Sequence, residues 1–187
     1  MKLKNLQIIG FLSLAGLLSV ASCSKDDEKK VDQIVGTYTF TSAEFNEAVT
    51  IIIQDYPIEF ASGSDASQFV GPAILGAAPC DNPENAAVDL RANGTAFYAC
   101  VNEVNEDQMG TWTINDERTI LYISISNPQP FALTITDLTV SSTSFTGTVT
   151  NFPLPLDTAY QIGVVIPDVG LNYQTASVDV TFTKVPE

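Results

Sequence analysis

Ala86-Ala87-Val88-Asp89-Leu90 and Thr95-Ala96-Phe97-Tyr98-Ala99-Cys100 flank Arg91-Ala92-Asn93-Gly94, and this stretch decides the fold. Two short runs that suit strands, joined by an Asn-Gly pair, read as a hairpin, because both turn residues accept the positive φ that tight hairpins need. The same punctuation recurs downstream, where residues 109–114 and 119–125 flank the polar turn Asn115-Asp116-Glu117-Arg118. Runs at 131–136, 138–140, 144–151, 160–165 and 175–184, with 35–40 and 49–53 upstream, carry alternation and no helical period. An antiparallel meander is predicted.

The period of two assigns faces. In the last strand Val178, Val180 and Phe182 share one face, and Ser177, Asp179, Thr181 and Thr183 the other, so one side is core and the other solvent. Around Ile120 the pattern differs: Ile120 and Tyr122 alternate with Leu121, Ile123 and Ile125, so this strand is expected to lie against something on both faces.

Two stretches break the pattern. Residues 62–79 are rich in small side chains, and Ser64 or Asp65 is a candidate cap before Ala66-Ser67-Gln68-Phe69-Val70, with Gly71-Pro72 expected to end or kink any helix. At most one short helix near 64–76 is predicted. Residues 151–156, with Pro153 and Pro155, and 166–170 read as loops. Their apolar Phe152, Leu154, Leu156 and Ile166 either fold over the end of the core or form an apolar rim around a binding mouth.

Composition excludes more than it includes. The 187 residues carry 22 acidic and 8 basic side chains and no histidine, a formal charge of −14. Without histidine there is no Ser-His-Asp or Cys-His nucleophile, no His-ligated zinc and no His general base. No Asp or Glu pair is marked out for glycosidase-like chemistry, which needs two carboxyl groups set across a cleft. The reading is therefore non-enzymatic, with no catalytic residue and no cofactor. After residue 30 the only cations are Arg91, Arg118 and Lys184, which argues against nucleic acid, since phosphate binding relies on clustered Lys and Arg. Asn102-Glu103-Val104-Asn105-Glu106-Asp107 concentrates oxygen atoms of the kind calcium prefers, but it lacks the spacing and glycine of an EF-hand loop and reads as a solvated hairpin tip. No metal site is assigned.

The N-terminus is an address. Lys2 and Lys4 precede an apolar run from Ile8 to Val20, then Val20-Ala21-Ser22-Cys23. This resembles the lipobox of bacterial lipoproteins, which implies that residues 1–22 are a removed signal peptide and that Cys23 is diacylated and becomes the new N-terminus. More than one acyl chain makes such anchoring stable. Residues 23–33 then form the lipidated cysteine and a charged tether, too poor in apolar residues to join a core. Within it, Ser24-Lys25-Asp26-Asp27-Glu28 resembles the acidic export signal of Bacteroidota surface lipoproteins, which implies an outer-membrane location facing the cell exterior. Removing residues 1–22 takes away two of the eight basic residues and no acid, leaving six against 22, a formal charge of −16. With Cys23 assigned to the lipid, Cys80 and Cys100 remain as an even pair in an oxidising compartment, so a disulfide is predicted, the other reading being two free buried thiols.

Residues 34–187 are read as one domain. Ile34-Val35-Gly36-Thr37-Tyr38-Thr39-Phe40 resembles the opening Gly-x-Trp strand of lipocalin-like domains, with Tyr38 in the place of tryptophan. Cys80-Asp81-Asn82-Pro83-Glu84-Asn85, then Leu90 to Thr95, then Gly110-Thr111-Trp112-Thr113-Ile114 resemble the lipocalin-like lipoproteins of the Bacteroidota. Leu138-Thr139-Val140 before Phe145-Thr146-Gly147 is similar to their later hairpin. The resemblance implies an all-β, antiparallel up-and-down barrel of about eight strands; an immunoglobulin-like open sandwich is the alternative.

A barrel of eight strands is either filled by its own side chains or holds one small ligand. Trp112 reads first as core or as a plug at one barrel end; with Tyr38, Phe97, Tyr98 and Tyr122 it is also a candidate to line an apolar pocket. The expected function is a membrane-tethered binding module for an unknown small apolar ligand. The competing expectation is a surface interaction or structural protein with a filled barrel, whose loops bind a protein or glycan. Asp157-Thr158-Ala159 resembles a Bacteroidota O-glycosylation acceptor, which would place a glycan on Thr158.

Overall fold

The hairpin predicted at Asn93-Gly94 is formed, but of the pair only Gly94 takes a positive φ. Strands β4 (Ala86–Leu90) and β5 (Thr95–Cys100) pair antiparallel with Leu90 opposite Ala96. Gly94 sits at φ +81° and its N–H donates to the Arg91 carbonyl at 2.9 Å. The structure, a computed structural model, describes residues 32–126, 130–161, 164–167 and 173–186, with side chains given for these except 157–167. The signal, Cys23 and the tether as far as residue 31 lie outside the described residues, as do the side chains of Thr158 and Ile166.

From the hairpin the meander runs through β6 (Glu106–Ile114), β7 (Leu121–Ile125), β8 (Phe131–Val140) and β9 (Ser144–Pro155), each antiparallel to the one before. Strand β12 (Tyr173–Lys184) pairs with β9, and β1 (Gly36–Phe45) pairs with both β12 and β4. The result is a closed eight-stranded antiparallel barrel in the order β1-β12-β9-β8-β7-β6-β5-β4. Closure removes the open edges of this sheet except along the second half of β9. The sandwich alternative is excluded.

Four strands stand outside the ring. The hairpin of β2 (Val49–Ile53) and β3 (Tyr56–Phe60) joins β10 (Asp157–Gln161) and β11 (Val164–Pro167) in a second sheet ordered β11-β10-β2-β3, with β10 parallel to β2. Three sequence expectations are corrected here. The segment 160–165 is not one strand but falls across two, β10 and β11. Strand β3 was not anticipated, because Pro57 and Glu59 break its pattern and its side chains are mostly exposed. Residues 151–155 are the second half of β9 and not a loop. Pro153 and Pro155 are tolerated there because β8 pairs with β9 only as far as Thr148, which leaves β9 one free side, and prolines at alternate positions direct both missing donors to the same side.

Local irregularities bend the strands into the ring. The register slips opposite Phe40/Ser42 in β1, next to Met109 in β6, at Asp137 in β8 and between Val149 and Phe152 in β9. Asp137, at φ +50°, makes 131–140 one bulged strand where two short runs were expected. At Gly110 in β6 an added Cβ would fall 1.8 Å from the Ser124 carbonyl oxygen of β7, so only glycine allows that approach.

The interior is packed. Tyr38 meets Phe145 edge-on with centroids 4.8 Å apart, Phe145 stacks on Phe182 at 4.7 Å, and Phe182 meets Phe40 at 5.6 Å. Val178, Val180 and Phe182 face inward as their alternation predicted. Strand β7 buries Leu121, Ile123 and Ile125 but exposes Tyr122, so its outer face is not covered and the two-sided expectation fails.

Helix α1 (Ser67–Leu75) is the one α-helix among the described residues. It buries Phe69, Val70, Ile74 and Leu75 and packs against β1 and β4. Asp65 accepts the Ser67 N–H at 2.8 Å, and hydrogen bonding from Ser67, its side chain first and its backbone second, holds the carboxyl below the usual range. Pro72 lies inside the helix and does not end it, since the helix continues for three more residues after losing only one backbone donor. Cys80 and Cys100 form the predicted disulfide, with Cα atoms 5.4 Å apart, tying the segment after α1 to β5.

Candidate functional site

Because neighbouring strands alternate in direction, the barrel has two distinct ends. At one end lie the C-termini of β4 and β6 and the N-termini of β1, β5, β7 and β9. This end is plugged. Ile34 is wholly buried, and Asp32 folds the entering chain back by accepting the N–H of Ile34 at 3.0 Å through its side chain and that of Val35 at 2.9 Å through its carbonyl. Arg118 grips Asp32 with two hydrogen bonds and holds the carboxyl below its usual range. Tyr38 is fully buried there, its hydroxyl donating to the Gln33 carbonyl at 3.4 Å, and burial pushes its pKa up to about 12, helped by the charge of Asp32. Trp112 is also at this end, its indole N–H donating to the Arg91 carbonyl at 2.9 Å. It is the barrel-end plug, a core role.

The opposite end carries α1 and the second sheet, and it is open. A pocket of about 430 Å³ lies there. Phe69, Ala73 and Ala77 come from α1 and the residues following it; Tyr98 and Ile125 come from the ends of β5 and β7. Pro130 and Phe131 close one side, and Phe152, Pro153, Pro155 and Tyr173 the other. No charged side chain lines it among the described residues. Phe152 is core at its base, while Tyr173, 60 % exposed, stands at its rim. The free half of β9, past the last β8 pair, therefore forms one wall of the mouth.

Of the five candidate pocket residues, only Tyr98 lines this pocket. Tyr38 and Trp112 are at the plugged end. Phe97 points outward, where the Arg91 guanidinium lies 3.6 Å from its ring centroid, and Tyr122 is exposed on the outer face. All five are aromatics on predicted strands, but alternation sends neighbours such as Phe97 and Tyr98 to opposite faces and says nothing about which barrel end a residue occupies. The pocket residues missed by sequence reasoning, Phe69, Phe131 and Pro155 among them, come from the helix and strand ends. Phe152 and Leu154 are not loop side chains over the core or at a rim, as their sequence suggests, but buried strand residues, and only Phe152 reaches the pocket.

Tyr98 is 3 % exposed, and burial raises its pKa, with the charge of Asp107 adding to the effect. Asp107 is its register partner in β6. A second depression, of about 510 Å³, lies on the outer barrel wall between Val35, Arg91 and Lys184. Its cations are already engaged: Arg91 pairs with Asp89 at 2.8 Å and Glu106 at 2.5 Å, and Lys184 donates to the Val35 carbonyl at 2.6 Å.

The acidic 102–107 segment does not gather its oxygens around a point. Glu103 accepts from the backbone N–H groups of Asp81 and Asn82 and from the Asn85 amide at 2.7 Å, with the Asn85 bond the main cause of its lowered pKa. It is a latch for the loop before β4. Among the described residues, the one trio with ligand atoms within 4.8 Å of one another is Cys80, Cys100 and Glu103, and its two sulfurs are joined to each other.

No protein-family model, curated protein or solved structure matches this chain.

Proposed function

We propose that this protein is a lipid-anchored, non-enzymatic binding module, a lipocalin-like lipoprotein of the Bacteroidota type. In this reading residues 1–22 are removed, Cys23 carries the lipid that serves as membrane partner, and the barrel is displayed on the outer face of the outer membrane. The pocket at the open end takes a small apolar ligand. The observation that carries the reading is that pocket: about 430 Å³, apolar-walled and free of charged side chains among the described residues. That size falls within the usual range for small-molecule sites. Histidine-dependent chemistry is closed to this chain, and its acidity disfavours nucleic acid.

Native mass spectrometry of the protein purified from its own cells tests ligand binding. A retained small molecule, lost on denaturation, is expected; its absence at every preparation would count against the pocket. Mass analysis of the N-terminal peptide tests the anchor, since an unlipidated Cys23 would overturn it. Protease digestion of intact cells tests display, and protection of the domain until the cells are permeabilised would place it inside.

One observation favours the second reading, a surface interaction or structural protein. The barrel interior is filled, and the hairpin of β2 and β3 exposes Ile52, Tyr56 and Ile58. If substitution of Tyr56 and Ile58 abolished a cell-surface association while the pocket stayed empty in every preparation, that reading would prevail.

A further inference from the structure

We infer that the pocket selects an uncharged ring molecule bearing a hydrogen-bond acceptor, and that the Tyr98 hydroxyl is the donor that reads it. This rests on the binding-module reading above and names its ligand class.

The first observation is an orphan. Tyr98 is almost fully buried and lines the pocket, yet its hydroxyl has no hydrogen-bond partner among the described residues. The buried hydroxyl of Tyr38, by contrast, finds the Gln33 carbonyl. Buried polar groups are nearly always paired, and leaving one unpaired is costly. A phenol that is buried, beside a pocket and without a protein partner is placed to donate to whatever enters.

Charge sets the second condition. None of the three cations among the described residues, Arg91, Arg118 and Lys184, lines the pocket, so nothing there neutralises a carboxylate or sulfate. Asp107, opposite Tyr98, and the net charge of −14 work further against an anion. With its pKa raised, Tyr98 stays protonated at neutral pH and is available as a donor.

The walls set the third. Phe69, Phe131 and Phe152 supply aromatic surface, and Pro130, Pro153 and Pro155 add surface with no side-chain torsion to freeze. Tyr and Phe have only two torsions each, so the cavity is largely preformed. Flat aromatic walls suit stacking against rings more than they suit a flexible acyl chain.

The test uses fluorenone, fluorene and hexadecanoate, titrated calorimetrically into the folded protein and into Tyr98→Phe. Fluorene and fluorenone share their ring frame, and only fluorenone has a carbonyl acceptor. Fluorenone is expected to bind, and Tyr98→Phe to weaken it by about five- to tenfold while leaving fluorene unchanged, the size of one hydrogen bond. Hexadecanoate is expected to bind more weakly than either. If both ring probes bind and Tyr98→Phe affects neither, or if hexadecanoate binds best, the inference fails while the apolar pocket stands. If none of the three binds, the pocket reading fails with it. Should Tyr98→Phe not fold, the wild-type comparison decides: a purely apolar site favours fluorene, because the ketone loses its water, and only a buried donor reverses that order.

Discussion

Arg118 holds Asp32 by two hydrogen bonds, 2.6 and 2.8 Å long, across 86 positions of sequence. Through this clamp the turn between β6 and β7 pins the segment that plugs the barrel. Arg118 ends its turn at φ +60°, its N–H donating to the Asn115 carbonyl at 2.9 Å.

The clamp predicts an acid-sensitive plug. Asp32 has a lowered folded pKa, so its contribution is complete above the unfolded value, about 3.9, and is lost as pH falls through the folded one. Melting temperature measured from pH 6 to pH 2 is expected to fall less steeply for Asp32→Asn than for the wild type. Parallel curves would remove the clamp from the acid response.

Tyr38 predicts the opposite limb. Its pKa is raised to about 12, so the stability it contributes is intact below the unfolded value, about 10, and disappears as pH climbs through 12. Tyr38→Phe is expected to keep its fold further into alkali, read by circular dichroism across that window. Unfolding of both proteins at one pH would show that another group governs the alkaline limit.

Reduction of Cys80–Cys100 frees the segment between α1 and β5, a sequence separation of 20. Chain-entropy reasoning puts the loss at about 3 kcal/mol. Urea denaturation of the Cys80→Ser/Cys100→Ser protein is expected to show a loss of that order. A change within about 0.5 kcal/mol would mean that Glu103 and the packing of α1 hold the segment alone.

Core and annex are expected to respond unequally. Phe145→Ala empties the centre of the Tyr38, Phe145 and Phe182 cluster and is expected to cost about 3–5 kcal/mol. Tyr56→Ala, at a position 71 % exposed, is expected to stay within about 0.5 kcal/mol. Equal losses would show that the hairpin of β2 and β3 packs more tightly than its exposure implies.

The turn of that hairpin leaves room for improvement. Gln54 and Asp55 have φ of +51° and +66°, a region L-residues other than Asn and Asp seldom adopt. A two-residue turn of this kind favours glycine at its second position, and Asp55→Gly is expected to stabilise the protein by about 0.5–1 kcal/mol in the same urea assay. A loss of stability would mean that the Asp55 side chain supports the turn.

The barrel was legible because its determinants are local. Asn93-Gly94 and Asn115 to Arg118 announce their turns, and the alternation of Val178, Val180 and Phe182 announces an inner face. What was hidden depends on pairing across the chain. Pro153 and Pro155 look like loop residues until β8 is seen to leave β9 at Thr148. Pro72 looks like a stop, yet α1 carries through it because packing on β1 outweighs one missing donor. The pocket was the least legible feature. Aromatic residues such as Tyr38, Phe97 and Trp112 could be picked from sequence, but which barrel end each occupies is fixed only when the ring closes, and α1 supplies Phe69 from outside any strand pattern.

The position of β1 gives the fold a mechanical character. The strand is held on both sides, by β12 and by β4, and the chain enters it at the plugged end. A tug on the N-terminal side, resisted by anything gripped at the open mouth, runs along the strand and loads both ladders in shear. Such a load must break many cross-strand bonds together, whereas peeling would open them one by one. The two bonds between Arg118 and Asp32 stand ahead of those ladders and pass part of the load to the turn between β6 and β7.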